Sequence, residues 1–162
     1  MASSHAARVE YKDLSRLAPD VDEALRALGN KAAAFGIEKD LLELIKIRAS
    51  QINGCAFCVQ FHVMQSERLK IASDKLHMIA VWRDAPIFSD RERAALAWTE
   101  ALTLMPQGAP DDVYAQATAA FSEQELIYLT SAIVGINAWN RFGAAYRWTP
   151  PTRAPAPMEK AG

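Results

Sequence analysis

Apolar side chains recur at helical spacing along almost the whole chain, and this pattern limits the fold more than any other feature. No segment alternates apolar and polar residues between turn signals, as a half-buried strand would. One stripe, followed by the stop signal Gly36, consists of Leu25, Leu28, Ala32 and Phe35. We therefore predict an all-α fold of about six to eight helices in a single domain over residues 1–150.

Helix start and stop signals divide this pattern into segments. Asn53-Gly54 is typical of a helix C-cap, and Ser89 and Ser122 each begin a capping box. The expected helices cover approximately residues 20–35, 38–52, 55–70, 74–82, 89–104, a segment starting at 110, and 122–147. The proline-rich tail, residues 151–162, is expected to be disordered.

Composition narrows the class of protein. Hydrophobic residues make up 51% of the 162 residues, so the chain can bury a core. A formal net charge of −1 argues against a surface built for nucleic acid or an anionic membrane. No secretory signal or membrane-spanning apolar run is recognisable. We expect a cytoplasmic protein without nucleic-acid or membrane partners, in which a cysteine pair is more often catalytic or metal-binding than a permanent disulfide.

Both cysteines of the chain lie in one short segment that also contains a histidine. Cys55 and Cys58 are three residues apart, and His62 follows four residues later. On a helix that begins at Cys55, the three side chains fall within an arc of about 60°. The N-terminus of a helix favours a thiolate, and a histidine within reach can carry its proton. The segment can therefore supply a nucleophile, a resolving thiol and a proton carrier on one face.

Three interpretations of this spacing are open: a redox pair, a metal site, and inert packing, of which the redox pair is favoured. A zinc site would use Cys55, Cys58 and His62, but a closed structural site needs a fourth ligand. The other histidines are His5, in the N-terminal tail, and His77, on a different helix. We therefore expect neither a bound metal nor a cofactor.

A longer pattern contains the same three residues. Glu43, Cys55, Cys58 and His62 fill the spacing E-x11-C-x2-C-x3-H. This spacing resembles the active-site pattern of the alkyl hydroperoxidase D family, helical proteins grouped with the carboxymuconolactone decarboxylases. Similarity to peroxidase-related members extends to LLELIKIRASQINGCAFC, VWRDAPIFSDRERAALAWTEALT and INAWNRF, and covers most of residues 37–142.

The resemblance implies a thiol-dependent peroxidase in antioxidant defence, acting on hydrogen peroxide or an organic hydroperoxide with an unidentified thiol as reductant. It implies that Cys58 attacks the peroxide and becomes a sulfenic acid, that Cys55 condenses with it to a disulfide, and that Glu43 and His62 relay protons. It also implies a homo-oligomer, a trimer or hexamer. The alternative is a zinc-binding structural or protein-interaction module without peroxidase activity.

Two features of the sequence affect how reactive the cysteine pair is and which cysteine attacks the peroxide. Phe57 stands where the best-known members can carry a second histidine, which reduces the local charge that favours a thiolate. The helix dipole favours Cys55 as the attacking residue, because it lies at the helix start. Cys58 is favoured by the resemblance and by its distance of one helical turn from His62, whereas Cys55 is two turns away. We expect Cys58 to attack.

Other helical positions carry expectations of their own. On a helical wheel, Glu43 lies in a polar strip beside Lys46, which predicts a solvated side chain, and only the resemblance assigns it to a relay. Arg48 lies inside the apolar arc, so a carboxylate or backbone carbonyls should pair with it. We expect a core or interface position for each of the tryptophans Trp82, Trp98 and Trp139.

The last helix contains a line of small residues, Ser131, Gly135 and Ala138. Glycine inside a helix usually has a packing reason, so this line predicts either a close helix–helix contact within the chain or a subunit interface. Asn137 and Asn140 lie in the same helix and need hydrogen-bond partners if they are buried.

Overall fold

The computed structural model of the chain describes residues 6–106 and 108–152. Within these ranges the fold is all-helical and contains no strand, which confirms the predicted fold class. The helices are α1 (Tyr11–Leu17), α2 (Pro19–Phe35), α3 (Lys39–Ile52), α4 (Ala56–Arg68), α5 (Ser73–Met78), α6 (Asp90–Leu104), α7 (Asp111–Ala120) and α8 (Glu123–Tyr146), with a short 3₁₀ helix at Ile79–Val81. No helix among these residues is both long and apolar enough to cross a membrane. Most of the expected disordered tail, residues 153–162, lies outside the described residues.

Helix α1 was not predicted from the sequence, and the predicted ends of two other helices differ from those in the structure. α1 is separated from α2 at Ala18, because the residue before Pro19 is disfavoured in the helical region. The helix expected to begin at Cys55 begins one residue later, with Cys55 as its N-cap. The helix expected to reach Trp82 ends at Met78 and continues as the 3₁₀ helix. The C-cap prediction is confirmed, since Asn53 caps α3 and Gly54 has a φ of 66°.

α3 is the central helix and packs against α4, α6 and α8. Its apolar residues face two clusters. Leu41, Leu42 and Ile45 lie in a cluster with residues of α2, α6, α7 and α8. Leu44 and Ile47 lie in a second cluster with residues of the 3₁₀ helix and α6. The apolar pattern of α3 thus fixes two of its faces in the core and leaves a third face for α4.

A buried carboxylate joins α3 to α6. Arg48 donates from Nε to Oε1 of Glu100 over 2.6 Å, and Trp82 donates from Nε1 to the same oxygen over 2.9 Å. Arg83 donates to the other oxygen of Glu100. Burial alone would raise the pKa of Glu100, but the hydrogen bonds from Trp82, Arg83 and Arg48 hold it below its usual value. The prediction that Arg48 pairs with a carboxylate is confirmed.

Gly135, in the small-residue line of α8, packs closely against α2 within the chain. A Cβ atom on Gly135 would lie 3.4 Å from the Cα atom of Gly29, so α2 and α8 come close together at this pair. Both asparagines of α8 have partners: Asn53 donates from Nδ2 to Oδ1 of Asn137 and of Asn140, over 3.0 Å each. This network holds the C-terminus of α3, two residues before Cys55, against α8.

We expect a homo-oligomer, because α8 presents large apolar side chains to solvent. Ile127 is 69% exposed and Val134 is 51% exposed, and a spacing of seven places both on one face of the helix. Light scattering at micromolar concentration should give a mass of at least twice 17.8 kDa. Replacing Val134 by lysine should lower that mass if this face is buried between subunits. A stable monomer of the unmodified chain would contradict the prediction.

Candidate active site

The turn between α3 and α4 carries both cysteines. Cys55 is the N-cap of α4, and its Sγ accepts a hydrogen bond from the backbone N–H of Cys58 over 3.2 Å. A disulfide joins the two residues, whose Cα atoms are 5.3 Å apart. Both are buried, with 1% of Cys55 and 4% of Cys58 exposed. The C-x-x-C spacing at a helix start therefore brings the two sulfurs into bonding contact.

α8 covers the two sulfurs with a glycine. A Cβ atom on Gly143 would lie 2.5 Å from Sγ of Cys55 and 3.2 Å from Sγ of Cys58. No side chain other than hydrogen fits at this position without a shift of its neighbours. Gly143 was not predicted from the sequence as part of the site. The signal was present as a glycine inside a helix, but the local pattern does not indicate which distant residues it faces.

Glu43 and His62 form a hydrogen-bonded pair between α3 and α4. Oε2 of Glu43 lies 2.7 Å from Nδ1 of His62, and Oε1 accepts from Nζ of Lys46 over 2.8 Å. Glu43 is only 7% exposed. The helical-wheel prediction of a solvated Glu43 is therefore wrong, because α4 packs on the polar strip of α3 and supplies His62 as a partner.

The protonation states of this pair follow from its surroundings. Burial alone would raise the pKa of Glu43, but the hydrogen bond with His62 and the charge of Lys46 outweigh it and hold that pKa below its usual value. Burial lowers the pKa of His62, although Glu43 acts in the opposite direction. At neutral pH an ionised Glu43 faces a neutral His62. The ring proton is then assigned to Nδ1, where it is donated to Glu43, and Nε2 is left as a base.

Replacing Glu43 by glutamine should lower the pKa of His62 further, because both the hydrogen bond and the charge of Glu43 raise it. NMR titration of the histidine ring resonances measures this pKa, and a His62→Gln variant assigns the signal. Glu123→Gln, on the exposed first turn of α8, is the matched control and should leave the pKa unchanged. An unchanged or raised pKa in Glu43→Gln would contradict the pairing.

A cavity of about 230 Å³ opens beside the disulfide. Cys58, His62 and Lys46 line it, whereas Cys55 does not. The rest of its wall is largely aromatic and includes Tyr11, Phe57, Phe61, Trp139 and Trp148. A small molecule in this cavity would therefore lie against Cys58 and His62 together. Of the tryptophans expected in the core or an interface, Trp82 and Trp98 are buried in the core, and Trp139 instead lines the cavity.

The three residues considered as zinc ligands have other bonding partners in the structure. Sγ of Cys55 and Sγ of Cys58 are bonded to each other, and Nδ1 of His62 lies against Glu43. Of residues 6–106 and 108–152, no three histidine, cysteine or acidic side chains are grouped in a way that could hold a metal ion.

Sequence comparisons find one family profile and a similar bacterial protein. The sequence profile of the carboxymuconolactone decarboxylase family matches residues 19–101. The uncharacterized protein YdfG of Bacillus subtilis (strain 168) is 31% identical over 139 residues, which are 85% of this chain and 92% of YdfG.

Solved structures agree with the fold. ATU0492 from Agrobacterium tumefaciens, a protein of unknown function for which the antioxidant defence role of AhpD has been suggested, is 38% identical with a TM-score of 0.84. That match covers 91% of this chain and 100% of ATU0492. An uncharacterized peroxidase-related protein from Silicibacter sp. TM1040 is 21% identical with a TM-score of 0.72, and the match covers 85% of this chain and 75% of that one. The second match is a likeness of fold.

Proposed function

This chain belongs to the carboxymuconolactone decarboxylase family, and we propose that it is a thiol-dependent peroxidase of the alkyl hydroperoxidase D type. The observation that carries the proposal is a cysteine pair in bonding contact, one member of which shares a small cavity with the histidine of a buried Glu43–His62 pair. The proposed role is antioxidant defence in the cytoplasm, where cellular reductants keep thiols reduced.

In the first step Cys58 attacks the hydroperoxide. His62 accepts the thiol proton of Cys58 at Nε2, and Glu43 stabilises the resulting imidazolium through Nδ1. The thiolate attacks the terminal peroxide oxygen, the O–O bond breaks, and the leaving alkoxide takes the proton from His62. The products are an alcohol and a sulfenic acid on Cys58. Cys58 is assigned as the attacking residue because it lines the cavity, whereas Cys55 does not.

In the second step Cys55 attacks the sulfenic sulfur of Cys58. A disulfide forms and the hydroxyl group leaves as water with the proton of Cys55. Two thiols and one hydroperoxide thus give one disulfide, one alcohol and one water. An external dithiol restores both thiols by exchange with the disulfide. In this cycle a disulfide between Cys55 and Cys58 is the product of the peroxide half.

Phe57 affects the first step through its position. It lines the cavity and places no second histidine beside the cysteines. Lys46, a cation that lines the cavity, is already bonded to Glu43. In this mechanism His62 and the N-terminus of α4 together activate Cys58.

Hydroperoxide consumption in excess dithiothreitol tests the proposed activity. The unmodified chain should consume hydroperoxide at a rate proportional to enzyme concentration and above the uncatalysed reaction. The double variant Cys55→Ser/Cys58→Ser is the matched control and should not exceed that background. Equal rates for the two proteins would refute a peroxidase function.

Elemental analysis tests the zinc alternative. Protein purified under reducing conditions should contain no stoichiometric zinc, because Cys55, Cys58 and His62 provide three ligands and a closed structural site needs four. About one zinc per chain that is lost in a His62→Ala variant would overturn the redox assignment.

A further inference from the structure

The two ends of the described chain build one wall of the cavity. Tyr11 lies in α1 and Trp148 follows α8, so both are outside the residues matched by the family profile. The ends are tied together: the N–H of Arg8 donates to the carbonyl of Tyr146 over 2.9 Å. Oγ1 of Thr149 donates to Oε1 of Glu10 over 2.8 Å. The wall therefore combines Phe57, inside the segment that the family profile matches, with residues from both ends of the described chain.

The rings of the wall contact one another around the opening beside Cys58. The ring centroid of Tyr11 is 4.8 Å from that of Phe57 and 5.1 Å from that of Trp148. The rings of Tyr11 and Trp148 meet edge to face at 73°, and those of Phe57 and Trp148 at 72°. These separations and angles are in the favourable range for aromatic pairs, so the rings hold one another in place.

Arg26 also lines the cavity and supports this wall. It donates from Nη2 to the hydroxyl of Tyr11 over 2.7 Å, and its guanidinium lies 5.7 Å from the ring centroid of Trp139. Asp22 binds its Nε at 3.0 Å. The second cation of the cavity, Lys46, is likewise bonded to a carboxylate. Each cation that lines the cavity is therefore balanced, which favours a neutral ligand over an anionic one.

We propose that this aromatic wall makes Tyr11 a specificity-determining residue that selects hydroperoxides bearing a single aromatic ring. The inference rests on the peroxidase function proposed above. The cavity, at about 230 Å³, is smaller than the roughly 300–1,000 Å³ of sites for drug-sized ligands, so it suits one ring and a short substituent. If the aromatic ring of a substrate packs against Tyr11, Phe57 and Trp148, its hydroperoxide group can face the rest of the wall. Cys58 and His62 line that part of the cavity.

Two hydroperoxides that differ only by a ring test the proposal. Cumene hydroperoxide carries a phenyl group where tert-butyl hydroperoxide carries a methyl group. We expect kcat/KM for the aromatic compound to exceed that for tert-butyl hydroperoxide by about tenfold or more, as burial of a large apolar group does. Tyr11→Ala should reduce this ratio at least about fivefold, because Tyr11 would contact the ring and not the hydroperoxide group.

The matched control is Tyr114→Ala on α7, since Tyr114 is exposed and does not line the cavity. It should leave the ratio unchanged. A ratio near one in the unmodified chain, or a ratio unaffected by Tyr11→Ala, would overturn the proposal.

A binding measurement separates this inference from the peroxidase function. The alcohol product, 2-phenyl-2-propanol, should quench tryptophan fluorescence of the oxidised protein, because Trp139 and Trp148 line the cavity. The effect should weaken in Tyr11→Ala, and tert-butanol should produce little change. Binding without turnover of any hydroperoxide would refute the peroxidase function and retain the aromatic site. Turnover without binding of the aromatic alcohol would refute the aromatic site alone.

Discussion

Cys58→Ser is expected to abolish hydroperoxide reduction, with a loss of roughly a thousandfold or more, as removal of a nucleophile typically causes. Serine is a much weaker nucleophile, since His62 cannot ionise it to a comparable extent. The measurement is hydroperoxide consumption in excess dithiothreitol. Ser73→Ala, at the start of α5 and outside the cavity, is a control for the purification and should retain full activity.

Trapping of sulfenic acid with a dione reagent identifies the attacking residue. In Cys55→Ser the sulfenic acid on Cys58 has no partner to resolve it, so adduct should accumulate after peroxide treatment. In Cys58→Ser little adduct should form. Cys55 is the N-cap of α4 and its sulfur accepts a backbone hydrogen bond. This position at the positive end of the helix dipole favours a thiolate at Cys55. The opposite pattern of adducts would show that the N-cap position determines which cysteine attacks. Cys55 would then be the attacking residue and Cys58 the resolving one.

Gly143→Ala should separate the two cysteines or displace α8. A Cβ atom 2.5 Å from Sγ of Cys55 is far inside van der Waals contact, and the obstructing atom is held in a disulfide. Alanine normally stabilises a helix relative to glycine by roughly 0.5–1 kcal/mol. Here the overlap should reverse the sign and lower the free energy of unfolding by about 1–3 kcal/mol. Denaturant unfolding measures the change, and the rate of disulfide formation with hydroperoxide should fall with it.

Gly135→Ala provides the matched control for this substitution. It makes the same change in the same helix, but its Cβ atom would lie 3.4 Å from Gly29, at ordinary contact distance. The control should not lower the free energy of unfolding and should leave disulfide formation nearly unchanged. If Gly143→Ala is as stable and as readily oxidised as Gly135→Ala, the close contact between α8 and the sulfurs does not exist in solution.

The features that sequence analysis predicted well depend on neighbours along the chain. The capping boxes at Ser89 and Ser122 and the C-cap at Asn53 are each completed within a few residues, and all three occur in the structure. The pairing of Arg48 was also predictable in kind, because a charge inside an apolar arc needs a partner. That this partner is Glu100 depends on the packing of α6 on α3.

The features that were missed depend on contacts between distant segments. The wheel of α3 shows that Glu43 is on a polar strip, but it does not show that α4 covers that strip. Only the resemblance of the longer motif indicated the contact with His62. Tyr11 and Trp148 are separated by most of the chain, and their contact requires the two ends to be tied together. No local periodicity encodes that arrangement.

The most direct test of the central claim is a titration of the fully reduced protein with hydroperoxide, in the absence of added reductant. One equivalent of hydroperoxide should consume both thiols of each chain. Mass spectrometry should then show a monomeric polypeptide lighter by the mass of two hydrogens, with Cys55 and Cys58 joined. Retention of both thiols after excess hydroperoxide, or their loss only through links between chains, would contradict the assignment of Cys55 and Cys58 as a peroxide-reducing pair.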